Sequence, residues 1–173
     1  MGIQMENIIL TGYMGSGKTT VGKNVAKLKA YTFLDTDEMI VQQQRRSINE
    51  IFATEGEQAF RDMETALLRQ LIDEKRERIV LSTGGGMPLR AENRQLLSKL
   101  GRVVYLKASP ATIYNRIKGD TTRPLLQCDD PMRRIEEMIA ARGPLYEEGA
   151  VLILDVDALK QSEVAEQCVK NDA

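Results

Sequence analysis

The sequence predicts a three-layer α/β/α fold, in which helices cover both faces of a parallel sheet. Three observations predict it: five short apolar runs, helical patterns between them, and a glycine-rich loop between the first run and the first helix. Strands buried on both faces of a sheet are expected to be short and continuously apolar, as these runs are. At 173 residues the chain is long enough for one domain with a substantial core.

The predicted strands are short runs rich in Ile, Val and Leu. They are NIIL (7–10), YTFL (31–34), RIVL (78–81), RVVYL (102–106) and VLIL (151–154). Because a helical pattern follows each of the first four, the connections are crossovers, and crossovers join parallel strands. Five parallel strands are therefore expected.

The helical patterns between the strands carry start signals. Ser47 with Glu50 forms a capping box, Ser109 precedes Pro110 at a predicted helix start, and Ser162 precedes EVAEQCV. A long helix is predicted over 57–73. Its apolar stripe at helical spacing consists of Phe60, Met63, Leu67 and Leu71.

Composition excludes several classes of function. The chain is 42% hydrophobic and 28% charged with a net charge of -1, which indicates neither disorder nor a basic nucleic-acid-binding surface. It contains no histidine, so Ser-His and Cys-His nucleophiles are excluded. The spacing of Cys128 and Cys168 suits two reduced thiols. Without a signal sequence or a membrane-length apolar run, a soluble, cytoplasmic monomer is expected.

The glycine-rich loop is the first candidate site. Residues 12–19 read GYMGSGKT and match G-x-x-x-x-G-K-[ST] between a strand and an amphipathic helix. The glycines let several backbone N–H groups point at one anion, at the positive end of a helix dipole. Lys18 adds a charge for the terminal phosphates, and Thr19 offers a Mg²⁺ ligand. The predicted nucleotide contacts are Gly15, Ser16, Gly17, Lys18, Thr19 and Thr20.

Two carboxylates, Asp35 and Asp37, follow the second apolar run in the sequence DTD. Residues two apart on a strand face the same side, so both are expected at the carboxyl end of the sheet, where ligands bind. One would serve Mg²⁺, directly or through water, and the other would accept or orient the proton of an attacking hydroxyl. The third run ends in Ser82 and Thr83 without an aspartate, which shifts the metal role to Asp35. A surface turn with two acids is the alternative.

Gly84, Gly85 and Gly86 follow the third apolar run. Each glycine costs backbone entropy, so three in succession predict a tight turn or a close approach of the backbone to a ligand. As a plain loop the triplet would carry no function.

Three arginines are candidate anion ligands. Arg123 lies in an aperiodic segment, 119–132, that is predicted to be a lid carrying this arginine to the phosphates. Arg61 lies beside the apolar stripe of its helix, where a structural salt bridge is the alternative role. Arg142 precedes GPLY at the predicted end of a helix, and a cation at a helix C-terminus is the alternative there.

Six elements occur together in one order between about Asn7 and Asp157: GYMGSGKTT, FLDTD, EGEQAFRDMET, STGGGMP, TRPLL and ARGPLY. In this combination the chain resembles the shikimate kinase family, the small P-loop kinases of aromatic amino-acid biosynthesis. The resemblance implies one P-loop kinase domain over residues 1–173, with a five-stranded parallel sheet and a lid loop at about 119–132. It implies transfer of the γ-phosphoryl group of ATP, with Mg²⁺, to the 3-hydroxyl of shikimate.

The resemblance also implies roles for single residues. The catalytic residues would be Lys18, Asp37 and Arg123, with Asp37 as the base or orienting group of the attacking hydroxyl. Shikimate would be bound by Asp37, Arg61, Gly84, Gly85, Gly86 and Arg142, the two arginines taking its carboxylate. Arg116 would stack on adenine and Arg123 would join the nucleotide site from the lid. Thr19 and Asp35 would lie around Mg²⁺.

Two alternatives remain from the sequence. The first is another small-molecule kinase on the same fold, a nucleoside monophosphate kinase or a gluconate kinase, since CDDPMRR resembles the acidic pair and arginines of adenylate kinases. The second is a nucleotide-dependent switch that binds a partner. A switch would need a guanine-reading N/T-K-x-D element and a D-x-x-G element, and neither occurs in a suitable place.

Overall fold

A computed structural model describes residues 6–120 and 128–170 of the chain. These residues contain a parallel sheet of five strands in the order β2-β3-β1-β4-β5. The strands are Asn7–Thr11 (β1), Thr32–Asp35 (β2), Ile79–Ser82 (β3), Gly101–Lys107 (β4) and Leu152–Asp155 (β5). The predicted α/β fold with five parallel strands is confirmed, and each strand lies within two residues of its predicted bounds.

Helices connect the strands and cover both faces of the sheet. They are Lys18–Lys29 (α1), Thr36–Gln44 (α2), Ile48–Glu55 (α3), Glu57–Asp73 (α4), Ala91–Leu100 (α5), Pro110–Ile117 (α6), Pro131–Gly149 (α7) and Gln161–Val169 (α8). A short 3-10 turn, Met87–Leu89, precedes α5. The long predicted helix over 57–73 has the observed bounds of α4.

Two apolar clusters pack against the two faces of the sheet. Along β1, Ile8 and Leu10 enter one cluster with α1 and α8, whereas Ile9 enters the other with α4 and α5. This alternation follows from the pleat of a strand buried on both faces. The central strand β1 is thereby held from both sides, which gives the loop that follows it a rigid base.

Side-chain caps define two of the predicted helix starts. Ser47 accepts a 3.1 Å hydrogen bond from the backbone N–H of Glu50, and Ser109 accepts one of 3.2 Å from Thr112. The prediction for Ser162 was wrong, because α8 begins at Gln161 and Ser162 lies within its first turn. Cys128 is exposed and Cys168 is buried, and neither forms a disulfide. Within the described ranges, no helix is long and apolar enough to cross a membrane.

The carboxyl ends of the strands form the edge at which a ligand is expected. From β1 the chain moves to β2 and β3 on one side of the sheet and later to β4 and β5 on the other. The crevice next to β1 is therefore a topological switch point, where open α/β sheets bind their ligands. The glycine-rich loop, the DTD sequence and the glycine triplet all follow strands at this edge.

Candidate active site

The glycine-rich loop curls tightly between β1 and α1. Gly12, Gly15 and Gly17 have φ angles of 144°, 78° and 100°, in the region that favours glycine. A Cβ on Gly12 would lie 2.7 Å from the Leu106 carbonyl oxygen and 2.8 Å from Ser16 Oγ, so a side chain has no room there. The loop ends at the N-terminus of α1, where the free N–H groups and the helix dipole favour an anion.

Lys18 bends back over this loop. Its Nζ donates hydrogen bonds to the carbonyl oxygens of Gly12 at 2.6 Å and Tyr13 at 3.1 Å. The positive charge therefore lies above the curl of the backbone, where the terminal phosphates of a nucleotide would sit.

A cavity of about 340 Å³ opens over the loop at the carboxyl edge of the sheet. Its walls include Lys18, Thr19, Asp35, Asp37 and Arg116. A larger cavity of about 760 Å³, lined by Asn7, Arg76 and Lys99, lies at the opposite edge, beside the amino ends of the strands. The larger volume does not identify the second cavity as the active site. The smaller cavity combines a phosphate-binding loop with carboxylates and is the candidate active site.

The DTD sequence does not lie on a strand as predicted. β2 ends at Asp35, which caps α2 by accepting a 3.1 Å hydrogen bond from the backbone N–H of Glu38. Asp37 belongs to the first turn of α2. The argument from strand alternation was therefore wrong, because the helix begins between the two acids. Both nevertheless line the cavity.

The environment of Asp37 raises the pKa of its carboxyl group. Burial and the charge of Asp35 raise its pKa, while the charges of Lys18 and Arg61 lower it less. Its Oδ1 is buried and has no hydrogen-bond partner among the described residues. Asp37 therefore lines the cavity while its Oδ1 is enclosed beside Gly84.

Arg61 projects from α4 with only 15% of its side chain exposed. Its Nη1 donates to Glu64 Oε1 at 2.7 Å, and its Nη2 donates to Glu57 Oε1 at 3.2 Å. The structural salt bridge considered from the sequence is thus present. It does not exclude a ligand role, because a guanidinium has five N–H donors.

The glycine triplet gives three side chains of the site room to approach the backbone. A Cβ on Gly84 would lie 2.6 Å from Asp37 Oδ1, and one on Gly85 would lie 3.5 Å from Arg142 Nη1. A Cβ on Gly86 would overlap the guanidinium of Arg61. None of the three has a positive φ, so close approach, rather than a strained turn, explains the triplet.

Arg142 lies in the middle of α7 and not at a helix end, so the alternative of a C-terminal cation was wrong. The helix continues through Gly143 and Pro144 to Gly149. The guanidinium of Arg142 lies 5.8 Å from the centre of the Tyr13 ring. One turn later, the Tyr146 hydroxyl donates a 2.6 Å hydrogen bond to the Gly85 carbonyl oxygen, which ties α7 to the glycine triplet.

The structure describes Arg116 but not Arg123. Arg116, in the last turn of α6, donates a 2.9 Å hydrogen bond to the Gly15 carbonyl oxygen and so borders the phosphate-binding loop. Arg123 lies outside the described residues, as does half of the predicted lid. The predicted end of the lid was wrong, because its last two residues, Pro131 and Met132, belong to α7.

Glu64 and Tyr146 were missed from the sequence. Glu64 is fully buried between Arg61 and the glycine triplet. It follows Phe60 by four residues and precedes Leu67 by three, so a charged residue at an inward-facing helical position was an available signal. Tyr146 offered no such signal, because a tyrosine on a helix is commonly a core residue.

The cavity wall contains oxygen donors suited to a hard cation. The Thr19 hydroxyl and the Asp35 carboxylate both line it next to the phosphate-binding loop. Mg²⁺ binds oxygen ligands and is usually held by one or two protein groups together with phosphates and waters. These two residues therefore fit a magnesium ion that arrives with a nucleotide.

Such a loop recurs in many nucleotide-binding proteins, but here it faces an aspartate across a small cavity, and two half-buried arginines lie against the adjoining glycine triplet. A nucleotide site next to an anion- and hydroxyl-binding pocket, on this five-stranded sheet, defines a small-molecule kinase of the P-loop class. The family model for shikimate kinase matches residues 14–173. The chain belongs to the shikimate kinase family, and the sequence-based predictions of this family and of a phosphotransferase acting on an alcohol group are confirmed.

Relatives of known name support the assignment over most of the chain. A shikimate kinase of Thermodesulfovibrio yellowstonii is 45% identical over 166 residues, covering 96% of this chain and 94% of that protein. A shikimate kinase of Neisseria gonorrhoeae is 48% identical over 143 residues, covering 83% of each.

Comparison with solved structures supports the same family assignment. A shikimate kinase of Acinetobacter baumannii in complex with shikimate superposes with a TM-score of 0.87 at 38% identity, over 95% of this chain and 90% of that chain. A gluconokinase of Sinorhizobium meliloti, at 16% identity and a TM-score of 0.54 over 95% of this chain and 90% of that one, shares the fold alone.

Proposed function

We propose that this protein transfers the γ-phosphoryl group of ATP to the 3-hydroxyl of shikimate, giving shikimate 3-phosphate and ADP in the shikimate pathway. One observation carries the proposal: three consecutive glycines receive Asp37, Arg142 and Arg61, in that order, beside the phosphate-binding loop. An aspartate and two arginines on one turn suit a ligand that has hydroxyl groups and a carboxylate.

The acceptor's carboxylate binds Arg61 and Arg142. The two guanidinium groups meet neighbouring residues of the same turn, so they approach one ligand group from α4 and from α7. The planar guanidinium on each side fixes the orientation of the carboxylate, and the carboxylate in turn orients the ring of the acceptor. Gly84, Gly85 and Gly86 leave room for the ring against their backbone.

Asp37 binds the attacking hydroxyl. As a base it takes the hydroxyl proton, or as an orienting group it aligns the hydroxyl, while the oxygen forms a bond to the γ-phosphorus and the bond from phosphorus to the ADP oxygen breaks. Its raised pKa suits a group that receives this proton, and its side chain lines the cavity. Lys18 and the N–H groups of the loop stabilise the charge that develops on the phosphoryl oxygens.

The nucleotide occupies the loop side of the cavity. Its phosphates bind the backbone of Gly15, Ser16 and Gly17 and the Lys18 ammonium, with Thr20 next to them on α1. Arg116 borders the loop through its hydrogen bond to Gly15, a position suited to stacking on the base. Arg123 of the lid segment, at about 119–132, stays a sequence-based prediction for the phosphates.

Thr19 and Asp35 hold Mg²⁺, Asp35 either directly or through water. A bound ion would neutralise part of the charge of the phosphates. A single kinase domain over residues 1–173, a cytoplasmic location and a monomeric state also stay predictions.

Gluconate is the acceptor that competes most directly, since it too has a carboxylate and hydroxyl groups. A coupled assay of ADP release with ATP and Mg²⁺ separates shikimate from gluconate, AMP and CMP. We expect turnover with shikimate alone. Turnover with gluconate or a nucleotide and not with shikimate would replace the proposed acceptor, and tight ATP binding with no turnover at all would reopen the nucleotide switch.

A further inference from the structure

Glu64 is a carboxyl group enclosed in the wall of the acceptor pocket, and no step of the proposed transfer uses it. It lies on α4 three residues after Arg61, and its side chain has 0% exposure. Oε1 accepts the 2.7 Å hydrogen bond from Arg61 Nη1. Oε2 is buried and has no hydrogen-bond partner within the described ranges. A buried acceptor without a donor is costly, so Oε2 requires one.

Asp37 Oδ1 is another buried oxygen that lacks a donor in the described part of the chain, and it lies beside the same glycine. A Cβ on Gly84 would lie 2.6 Å from Asp37 Oδ1 and 3.2 Å from Glu64 Oε2. Two ionised carboxylates that share a buried site repel each other, and neither can donate. One proton on Oε2 removes the repulsion and supplies a donor to Asp37.

We propose that Glu64 is a positioning residue: it keeps a proton on Oε2, directs it to Asp37 Oδ1, and thereby leaves the charge of Arg61 to the carboxylate of the acceptor. This inference rests on the proposed function, because it concerns the binding of the proposed acceptor to Arg61. Glu64 acts through Arg61 and Asp37.

Charged groups from three elements face Glu64: Arg61 on its own helix, Asp37 on α2, and Arg90 after the 3-10 turn. Burial raises the pKa of Glu64, Arg61 and Arg90 lower it, and the charge of Asp37 raises it, with a net pKa of about 7. Arg90 is engaged elsewhere, in a 2.9 Å ion pair with Asp62. The neutral form of Glu64 is thus populated in the physiological range of pH.

The protonation state of Glu64 determines what Arg61 offers to a ligand. With Glu64 neutral, the guanidinium keeps its positive charge and binds an incoming carboxylate. With Glu64 ionised, the pair of Arg61 and Glu64 is already neutral, and the incoming carboxylate meets a second negative charge within the pocket wall. Affinity for the acceptor should therefore fall as the pH rises through the Glu64 pKa.

Glu57 provides a matched control on the same guanidinium. It accepts from Arg61 Nη2 at 3.2 Å, but its side chain is 70% exposed. Its charge is screened by solvent. A change from glutamate to glutamine at residue 57 removes one contact of Arg61 without removing a buried proton.

The first experiment follows the carboxyl carbons of the full-length protein, labelled with ¹³C-glutamate, by NMR during a pH titration without ligand. Glu64→Gln assigns the resonance by its loss. We expect the Glu64 carboxyl to titrate near neutral pH, well above its exposed counterparts. Titration of this resonance in the ordinary range of glutamate would overturn the inference, and this readout does not depend on turnover.

The second experiment measures shikimate binding by calorimetry in buffers of different ionisation enthalpy, and KM and kcat for shikimate across the same pH range. Above the Glu64 pKa, the wild-type protein should take up close to one proton per shikimate bound, and KM should rise by up to about tenfold per pH unit. Glu64→Gln should bind without proton uptake and with a flatter KM profile, whereas Glu57→Gln should keep the wild-type pattern.

The outcomes separate this inference from the proposed function. If the wild-type protein released no ADP with shikimate, the proposed function would be contradicted. The NMR titration would still test whether Glu64 holds a proton. Normal turnover with a Glu64→Gln profile parallel to the wild type would overturn the inference alone. If Glu64→Gln and Glu57→Gln changed proton uptake and the KM profile equally, Glu64 would be only an ion-pair partner of Arg61. This result would also overturn the inference.

Discussion

The guanidinium of Arg61 occupies the space into which a side chain at Gly86 would project. Gly86 has φ -90°, which any residue can adopt, so glycine is not required there by backbone conformation. It is required because Arg61 lies against the backbone, held by Glu57 and Glu64. The glycine triplet and the arginine of α4 therefore pack into one surface, although 25 positions separate Arg61 from Gly86 in the sequence.

Gly86→Ala should displace Arg61 with little effect on the fold. The added methyl group meets the far end of a flexible side chain, which can move away. We expect KM for shikimate to rise roughly 10- to 100-fold, because a misplaced guanidinium no longer orients the carboxylate. Steady-state kinetics and thermal melting measure the two effects. Gly143→Ala is the control, since a Cβ there meets no atom within 4 Å, and it should leave KM unchanged. An unchanged KM in Gly86→Ala would remove Arg61 from the acceptor site.

Arg61→Lys should weaken acceptor binding while it keeps the charge. A lysine offers one ammonium group in place of the planar fork, so it cannot serve a carboxylate on one side and Glu64 on the other with the same geometry. Loss of one charged hydrogen bond corresponds to roughly 10- to 100-fold in KM for shikimate. KM for ATP should stay within about twofold, since Arg61 has no role at the loop. Equal affinity for shikimate in Arg61→Lys would show that the carboxylate binds elsewhere.

The fold and most of the candidate site were predictable from the sequence, because their signals are local. A buried parallel strand shows as a short apolar run, and a phosphate-binding loop shows as glycines at fixed spacing before Lys18. Both are determined by residues within about twenty positions of one another. The family resemblance then supplied the long-range pairing of Arg61 and Arg142, which no local pattern indicates.

What local patterns missed depends on tertiary packing. Asp37 was placed on a strand because two acids flank one residue, but the Asp35 side chain starts a helix between them. Arg142 was placed at a helix end because Gly143 and Pro144 usually end helices, yet packing of Ile135 and Tyr146 in the core carries α7 through them. Glu64 has its role only because Asp37 and Gly84 meet it across the fold.

Asp37→Asn should abolish most turnover and leave nucleotide binding intact. Asparagine can hold the position of the side chain, but it cannot take the proton of the attacking hydroxyl. We expect kcat to fall about 10²- to 10⁴-fold. The dissociation constant of ATP, measured by calorimetry in the absence of shikimate, should change by less than about threefold. Single-turnover measurements decide the point, since an unchanged rate of phosphoryl transfer would exclude Asp37 from the chemical step.

Glu64 should make the free energy of unfolding depend on pH. Below about pH 4.5 the carboxyl group is protonated in the folded and unfolded chains alike, so it contributes no pH dependence. Between that value and the folded-state pKa of about 7, the unfolded chain releases the proton while the buried group retains it. The unfolded state is favoured increasingly over this range, and wild-type stability falls as the pH rises. The full loss, reached above pH 7, is roughly 3 kcal/mol.

Glu64→Gln isolates this contribution, because the amide does not titrate. Urea unfolding of both proteins at several pH values should give a stability difference that shifts in favour of the variant by roughly 3 kcal/mol between about pH 4.5 and pH 7.5. Glu57→Gln, whose side chain is 70% exposed in the wild type, should show a nearly constant difference. A flat difference for Glu64→Gln would mean that Glu64 is ionised in the folded protein at acidic pH, with Arg61 compensating for its burial.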